Sequence, residues 1–248
     1  MSQTPAGLLA AAVADDPARP FLTYYDDATG ERTELSLATL DNWVAKTANL
    51  LVDGCGLSPG DTAVALLPAH WQTAGVLLGC WAAGLGTAHG ARSDSASPVD
   101  VVFAAADRAD EARGWPADER YLLSLAPFGA PLRDVPPGFA DYAVEVRQYG
   151  DRFVPAEPVE PDAPALVGLP RGPLSHAALA GAGRERAEAL GLAAGGRLLI
   201  TDSPDRPARP LDWLLAPLAA GASVVLCRNT DEAKLATRTD QERITATA

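Results

Sequence analysis

The chain has 248 residues, of which 48% are hydrophobic and 21% are charged, and its formal net charge is −12. This length and composition indicate a globular protein with one or two hydrophobic cores. The negative field repels nucleic-acid phosphates and anionic lipids, so we expect neither nucleic-acid binding nor membrane-surface binding.

The first twenty residues lack the basic segment of a signal peptide and contain Asp15 and Asp16. Residues 73–91 are uncharged over the length of a membrane span, but they include five glycines, which favours a buried helix followed by a buried strand. The three cysteines are scattered and form no cluster with histidine, so we predict reduced thiols and neither a disulfide framework nor a metal site. We therefore expect a cytoplasmic protein.

A short helix and then a hairpin are predicted for the first 35 residues. The runs "FLTYY" and "RTEL" flank the turn "DDATGE", in which Gly30 can supply a positive φ. Ser36 is a candidate N-cap for a helix that continues to about Val52, because apolar residues recur after it at helical spacing.

An αβ pattern then occurs twice, at residues 56–88 and 191–226. Each copy has a Gly-Leu-x-x-Gly turn, an apolar strand, a polar loop with proline, an apolar helix and a second apolar strand. Further strands are predicted at 99–105 and 121–125. Apolar strands that alternate with helices indicate parallel sheets covered on both faces. The predicted fold class is α/β, with two pseudo-repeated and mostly parallel sheet layers covered by helices.

A proline-rich segment, residues 127–164, separates the two copies. Its last four prolines are spaced three residues apart, which matches polyproline II. A stiff surface connector and a ligand for an SH3-type domain are the two interpretations. We predict a first α/β subdomain at 1–150, a connector at 151–164 and a truncated second subdomain at 165–248.

Three stretches together resemble one superfamily, the adenylate-forming, AMP-binding enzymes that include acyl-CoA synthetases, peptide-synthetase adenylation domains and luciferases. The stretches are "LATLDNWVAKTANLLVDGCGLSPGDTAVALLPAHWQTAGVLLGCWAAGLGT", "GLPRGPLSHAAL" and "PLAAGASVVL". The likeness spans nearly the whole chain but only the N-terminal half of a typical member, as in the short actinobacterial members. It implies the fold of the N-terminal domain of acyl-CoA synthetases.

The second stretch is similar to the end of the superfamily's phosphate loop, usually G-x-P-K-G-V-x-L-S-H. In the superfamily a Ser/Thr/Gly-rich run precedes it and surrounds the ATP phosphates with hydroxyls and N–H groups. That run is absent here, so we predict a degenerate remnant that consists of Gly168, Pro170, Arg171, Gly172 and Ser175. Arg171 occupies the position of the loop lysine, and it either pairs with an anion or is a solvated turn residue. Ser175 is a helix cap or a ligand.

Other catalytic features of the superfamily are also missing from this sequence. The later Y-G-x-T-E strand, the ribose aspartate and the lysine of the C-terminal domain do not occur. Where the superfamily has an aromatic–His element, the chain reads "TDSPDRPARPLDW". Asp202 and Asp205 fall in that loop at the carboxyl end of a strand, where open α/β sheets bind ligands, although a solvated loop is the alternative. The three histidines, His70, His89 and His176, are isolated and by default structural or surface residues.

We therefore predict no catalytic residue and no metal ligand, and no enzymatic activity from the chain alone. The favoured hypothesis is a non-catalytic, shortened relative of acyl-CoA synthetases that acts in ligand binding or protein interaction. The alternative is an acyl- or adenylate-binding subunit of a synthetase-like ligase that a partner completes. A folded remnant without specific activity is the third hypothesis. No cofactor is expected, and AMP, ATP and CoA are the less favoured ligands. Trp43, Trp71, Trp81 and Trp213 fall on predicted helices among apolar neighbours, so we expect them in the core or in contacts between subdomains. A shortened chain that keeps apolar surface should make that surface polar or pair it, so a homodimer or a larger synthetase-like protein is the expected partner.

Overall fold

The computed structural model describes residues 3–89, 98–203 and 208–248. The chain divides into two compact units. The first unit comprises Met1–Asp41, Pro68–Ala74 and Ala178–Ala248, and the second comprises Asn42–Leu67 and Gly75–Ala177. Because the units interleave along the chain, they do not coincide with the consecutive division predicted at residues 150 and 165.

Helices and strands alternate through most of the described residues. In chain order they are α1 Pro5–Asp15, β1 Pro20–Asp26, β2 Glu31–Ser36, α2 Leu37–Asn49, β3 Thr62–Leu66, α3 Trp71–Ala82, β4 Gly86–His89, β5 Val99–Ala105, α4 Ala109–Arg113, β6 Ala117–Leu123, β7 Ala140–Asp141, α5 Tyr142–Glu145, β8 Pro164–Leu166, β9 Leu174–Ser175, α6 His176–Ala189, β10 Arg197–Asp202, α7 Ala216–Ala220, β11 Ser223–Arg228, α8 Glu232–Gln241 and β12 Ala246–Thr247. Single π-helical turns at Leu50–Gly54 and Leu211–Leu215 follow α2 and precede α7.

Each unit contains one sheet. The first unit has five strands in the order β12-β10-β11-β1-β2, and the second has seven in the order β7-β6-β5-β3-β4-β8-β9. Among the strands that the structure describes, the β1–β2 and β8–β9 pairs are antiparallel and the other pairs are parallel. The predicted fold class, two mostly parallel sheet layers with helices, is thereby confirmed.

The N-terminal hairpin and the helix cap form as predicted. Gly30 has a φ of 75°, in the left-handed region that the turn requires. The Ser36 hydroxyl accepts the N–H of Thr39 at 3.1 Å, which satisfies one of the free donors of the first turn of α2. The α-helix ends at Asn49, three residues before the predicted end, and a π-turn continues it.

Both copies of the repeated pattern fold into the predicted strand–helix–strand sequence. The first copy gives β3, α3 and β4, and its two strands pair in parallel. The second copy gives β10, the Leu211–Leu215 turn with α7, and β11, again with parallel pairing. Gly221 ends α7 in the left-handed conformation with a φ of 67°, as is usual after a helix C-terminus.

Aromatic side chains fill the core of each unit. In the second unit the Tyr142 hydroxyl lies 2.7 Å from the Thr47 hydroxyl, and Phe103 meets the Tyr142 ring edge-on. The indole N–H of Trp81 donates to the carbonyl of Ala165 at 3.0 Å. Of the four helical tryptophans assigned to core positions, Trp43 is half-buried, and the others are buried: Trp71, Trp81 and Trp213.

One buried ion pair anchors α8 in the first unit. Two nitrogens of Arg238 donate to Asp27, at 2.7 and 3.2 Å, and the two side chains are 7% and 8% exposed. The guanidinium also lies 4.1 Å from the centroid of the Tyr25 ring and donates to the sulfur of Cys227 at 3.3 Å. The pair therefore joins α8 to the ends of β1 and β11.

The proline-rich segment is more structured than a plain connector in its first half. It contains β7 and α5, whereas residues 149–163 have neither helix nor strand. Asn49 donates to the carbonyls of Gly150 and Arg152 at 2.9 and 3.0 Å, and Lys46 donates to the carbonyl of Tyr149 at 2.7 Å. Side chains of α2 thus hold this stretch to the second unit.

Cys80 and Cys227 are buried thiols and Cys55 is half-buried, and all three are free. Within the ranges that the structure describes, every helix is too short or too polar to traverse a lipid bilayer.

Candidate functional site

The predicted phosphate-loop remnant folds as a hairpin in the second unit. Strands β8 and β9 pair antiparallel, with Leu166 opposite Leu174. Gly168 and Gly172 have φ angles of 75° and 90°. The N–H of Gly172 donates to the carbonyl of Leu169 at 3.0 Å, which closes a four-residue turn. The structure thus brings all the predicted remnant residues into one tight hairpin.

Several positions of this hairpin offer no free backbone N–H to an anion. Pro170 and Pro173 have no N–H, and the N–H of Val167 donates to the carbonyl of Thr87 at 2.9 Å. The loop also packs closely on β4, because a Cβ added to Gly86 would lie 3.1 Å from Cγ1 of Val167. No hydroxyl side chain occurs between residues 167 and 173. The loop therefore has no equivalent of the hydroxyl-lined cradle that the resemblance implies.

Arg171 and Ser175 take different positions in this hairpin. Arg171 is exposed and forms no salt bridge with any residue that the structure describes. Ser175 ends β9 and directly precedes α6, the position of a helix N-cap. Arg171 is thus a cation on an exposed turn.

Asp202 lies at the carboxyl end of the sheet of the first unit, as predicted. It is the last residue of β10, it is buried, and its carboxylate accepts the N–H groups of Ala208, at 2.7 Å, and of Ala69. Burial raises the pKa of this carboxyl above its ordinary value despite those hydrogen bonds. Asp205, the second predicted residue of this loop, lies outside the described residues.

A buried histidine lies at the same end of this sheet. His70 is fully buried, and its Nδ1 accepts the N–H of Gln72 at 3.1 Å. Burial lowers the pKa of His70 to about 3, and the charge of Arg228 contributes. The neutral ring therefore has its proton on Nε2, which has no hydrogen-bond partner among the described residues.

Tyr24 and Arg228 complete this polar cluster. The Tyr24 ring meets the His70 ring edge-on, with centroids 4.5 Å apart, and burial raises the pKa of its hydroxyl. The charge of Arg228, at the end of β11, acts on Tyr24, His70 and Asp202. We call Tyr24, His70, Asp202 and Arg228 the carboxyl-end cluster. It combines a buried N–H donor, a carboxylate and a cation, which suits binding of a polar ligand group.

Sequence reasoning found Asp202 but not the other members of this cluster. Tyr24 lies on β1, Arg228 ends β11 and His70 directly precedes α3, so the three residues are far apart in the chain and approach one another only in the folded unit. A usable signal exists for Arg228, because it is the last residue of the apolar strand β11.

The described parts of the chain contain no group of three or more His, Cys, Asp and Glu side chains that could hold a metal ion. His176, next to the remnant, is buried, and neither of its ring nitrogens has a partner among the described residues. Burial lowers the pKa of His176 to about 4, so the ring is neutral at physiological pH.

Solved structures of acyl-CoA synthetases share this fold. The chain superposes on Brucella canis acyl-CoA synthetase with a TM-score of 0.73 at 17% identity, over 98% of this chain and 46% of that one. The N-terminal domain of FACL13 from Mycobacterium tuberculosis gives a TM-score of 0.70 at 14% identity, over 97% and 61% of the two chains. The fatty acyl CoA synthetase of Mycobacterium tuberculosis gives 0.66 at 15% identity, over 98% and 48%. The chain thus has the fold of the N-terminal domain of acyl-CoA synthetases and spans about half of the two longer structures.

A much closer relative exists in sequence. No protein-family model matches the chain. However, it is 45% identical to a "TIGR03089 family protein" of Mycobacterium tuberculosis (strain ATCC 25618 / H37Rv), over 93% of this chain and 91% of the relative. At this identity and coverage the two proteins share one fold along nearly their full matched lengths. The chain belongs to the TIGR03089 family.

Proposed function

We propose that this chain does not form acyl-adenylates by itself and that it acts as a binding protein built on the N-terminal fold of acyl-CoA synthetases. The observation that supports this proposal is the hairpin between β8 and β9. Where the superfamily surrounds the ATP phosphates with hydroxyls and N–H groups, this chain has a closed turn with two prolines.

The energetic cost of the missing donors is large. Each charge-assisted hydrogen bond to a phosphate contributes roughly 1.5–3 kcal/mol. Loss of about three such bonds weakens nucleotide binding by roughly a thousandfold or more, since about 1.4 kcal/mol corresponds to a factor of ten. One exposed arginine, Arg171, does not offset this loss, because its charge is screened by water.

The experiment that tests this proposal measures nucleotide binding and catalysis together. Thermal unfolding is followed with Mg²⁺-ATP, AMP and CoA, and ATP–pyrophosphate exchange is assayed with fatty acids. We expect no exchange and the same response to ATP in the wild type and in Arg171→Ala. A saturable ATP shift with measurable exchange, both lost in Arg171→Ala, would show that the hairpin is a working phosphate site.

The carboxyl-end cluster favours a second candidate function. The Nε2–H of His70 is buried without a partner among the described residues, and an acyl or adenylate oxygen would satisfy it. In this function the chain is an acyl- or adenylate-binding subunit that a partner completes. A non-hydrolysable acyl-adenylate analogue should then bind the wild type and bind His70→Leu much more weakly. Equal binding to the two proteins, or none to either, excludes this function.

Exposed apolar side chains support a role in protein interaction. Phe128 is 88% exposed and has a φ of 58°, a strained conformation for a bulky residue. Arg147 holds it in place by donating to the carbonyls of Phe128 and Gly129, at 2.9 and 2.8 Å. Size-exclusion chromatography with light scattering, on the wild type and Phe128→Ser, tests whether a homodimer forms through this residue. A monomer at high concentration argues against the homodimer.

A further inference from the structure

A cleft of about 380 Å³ lies at the amino-terminal end of the sheet of the first unit. The first residues of β1, β10 and β11 line it. The last residue of α8 and the two residues that follow it also belong to the lining. Arg197 begins β10 and Asp202 ends it, so the cleft and the carboxyl-end cluster lie at opposite ends of one strand. The cleft is therefore a separate site.

Two arginines are fixed in the wall of this cleft. Arg19 donates to the carbonyl of Gly221 at 3.1 Å, and its side chain is 24% exposed. Arg197 donates to the hydroxyls of Thr23 and Ser223, at 2.9 and 3.4 Å, and its side chain is 18% exposed. Because both side chains are already ordered, a ligand that binds them does not incur the full entropic cost of immobilising them.

The guanidinium groups retain donors that the protein does not use. The Nε atoms of Arg19 and Arg197 are buried and have no hydrogen-bond partner among the described residues. A buried donor without a partner costs free energy, and nearby negative charge offsets that cost.

The cleft also has an excess of positive charge. Its one carboxylate, Glu242, is held by Tyr25, Arg197 and Arg32. Burial raises the pKa of Glu242, but these hydrogen bonds outweigh it, so the pKa lies below its ordinary value and Glu242 stays ionised. This carboxylate compensates the charge of Arg197.

The other two arginines have little compensation. Within the described residues, the one salt bridge of Arg19 is to Asp15, at 3.9 Å, and the Asp15 side chain is 77% exposed. Arg243 is exposed and forms no salt bridge within the described residues. Arg19 is thus only weakly compensated and Arg243 is not compensated within the described residues, in a chain whose net charge is −12.

We propose that this cleft binds the phosphoryl group of a small molecule. Guanidinium groups match phosphate oxygens in charge and geometry, and the side chains of Ser223 and Gln241 add neutral hydrogen-bonding groups to the lining. The volume falls in the range of roughly 300–1,000 Å³ that is typical of small-molecule sites, so it accommodates more than a bare phosphate ion. This proposed site is separate from the β8–β9 hairpin, so phosphate binding in the cleft does not depend on whether that hairpin binds a nucleotide.

Isothermal titration calorimetry on the full chain tests this proposal with three probes: inorganic phosphate, ribose 5-phosphate and ribose, all at matched ionic strength. We expect saturable binding of both phosphate-bearing probes and none of ribose. Tighter binding of ribose 5-phosphate identifies a phosphorylated small molecule as the source of the group, and equal binding identifies free phosphate. The proposal is overturned if neither inorganic phosphate nor ribose 5-phosphate gives saturable heat up to about 10 mM. A dissociation constant above about 10 mM corresponds to a binding free energy of less than about 3 kcal/mol in magnitude.

Three substitutions assign the binding to the cleft. Arg19→Gln should weaken phosphate binding by about tenfold or more, and Arg243→Gln by about three- to tenfold, because each removes one charge-assisted contact. Arg243 is exposed, so its variant reports on binding even if Arg19→Gln disturbs folding. Arg133→Gln removes the same charge from an exposed position of the second unit and is the matched control. An equal loss in all three variants would show nonspecific attraction and refute the site.

Discussion

The ion pair between Asp27 and Arg238 gives the sharpest stability prediction. Arg238→Met keeps the length of the side chain but removes its charge, and it leaves a carboxylate that is 8% exposed. That carboxylate then has the N–H of Asp231 at 2.9 Å and the amine of Lys234 at 3.4 Å, and the lysine is 53% exposed. A buried charge that loses its partner typically costs about 3–5 kcal/mol, and we expect a loss of this size in the free energy of unfolding.

The pH dependence of stability gives an independent value for the contribution of this ion pair to the free energy of unfolding. The hydrogen bonds from Arg238 outweigh burial and lower the pKa of Asp27 from 3.8 to about 2. Because the pKa in the folded state is the lower one, the unfolded chain takes up the proton first as the pH falls. The stabilisation is thus complete above about pH 4 and is lost between pH 4 and pH 2. At about 1.4 kcal/mol per pKa unit it is worth about 2 kcal/mol.

Urea denaturation followed by far-UV circular dichroism, at several values between pH 7 and pH 2, measures both effects. The double variant Asp27→Asn with Arg238→Met should be about 1–3 kcal/mol more stable than Arg238→Met alone, because no buried charge remains. A cost of less than about 1 kcal/mol for Arg238→Met would show that the ion pair contributes no more than an exposed one. A loss of stability below about pH 4 as steep in Arg238→Met as in the wild type would show that Arg238 does not lower the pKa of Asp27.

Glycine and histidine substitutions give further predictions. Gly79→Ala would place a Cβ 2.5 Å from Cβ of Thr47 and should destabilise the protein by about 1–3 kcal/mol. Gly181 lies in α6, and a Cβ added there would have no atom within 4 Å, so Gly181→Ala should stabilise the protein by about 0.5–1 kcal/mol. Thermal melts in which Gly79→Ala is more stable than Gly181→Ala would contradict both expectations. Burial lowers the pKa of His176 from 6.5 to about 4, so the wild type should lose about 2 kcal/mol between pH 7 and pH 5 through this residue. His176→Leu should remove that loss in urea titrations at the two pH values, and an unchanged pH dependence would refute it.

Local signals in the sequence sufficed for most helices and strands. The Gly30 turn and the Ser36 cap formed as predicted because each depends on residues within a few positions. The β8–β9 hairpin was only partly foreseen. The turn was predicted, but β9 has two residues, too few to show any alternation of apolar and polar side chains. Its pairing with β8 depends on tertiary contacts.

Long-range pairing could not be read from the sequence. The parallel register that aligns Leu22 with Val224 joins the two ends of the chain, and nothing near either residue specifies the other. The same limit applies to the site. Asp202 can be predicted because a strand end is a local feature, whereas His70 is isolated in the sequence, since its neighbours Tyr24 and Arg228 approach it only in the folded unit.

The pairing of β1 with β11 also constrains the order of events during translation. The hairpin of β1 and β2 leaves the ribosome before β11, the strand that pairs with the other side of β1. About 200 residues separate the paired positions, which corresponds to roughly 10–40 s at about 5–20 residues per second. The second unit, whose last residue is Ala177, is complete before β11 is synthesised. Throughout this interval one side of β1 lacks its strand partner, and a strand edge with unpaired N–H and C=O groups can pair with other chains.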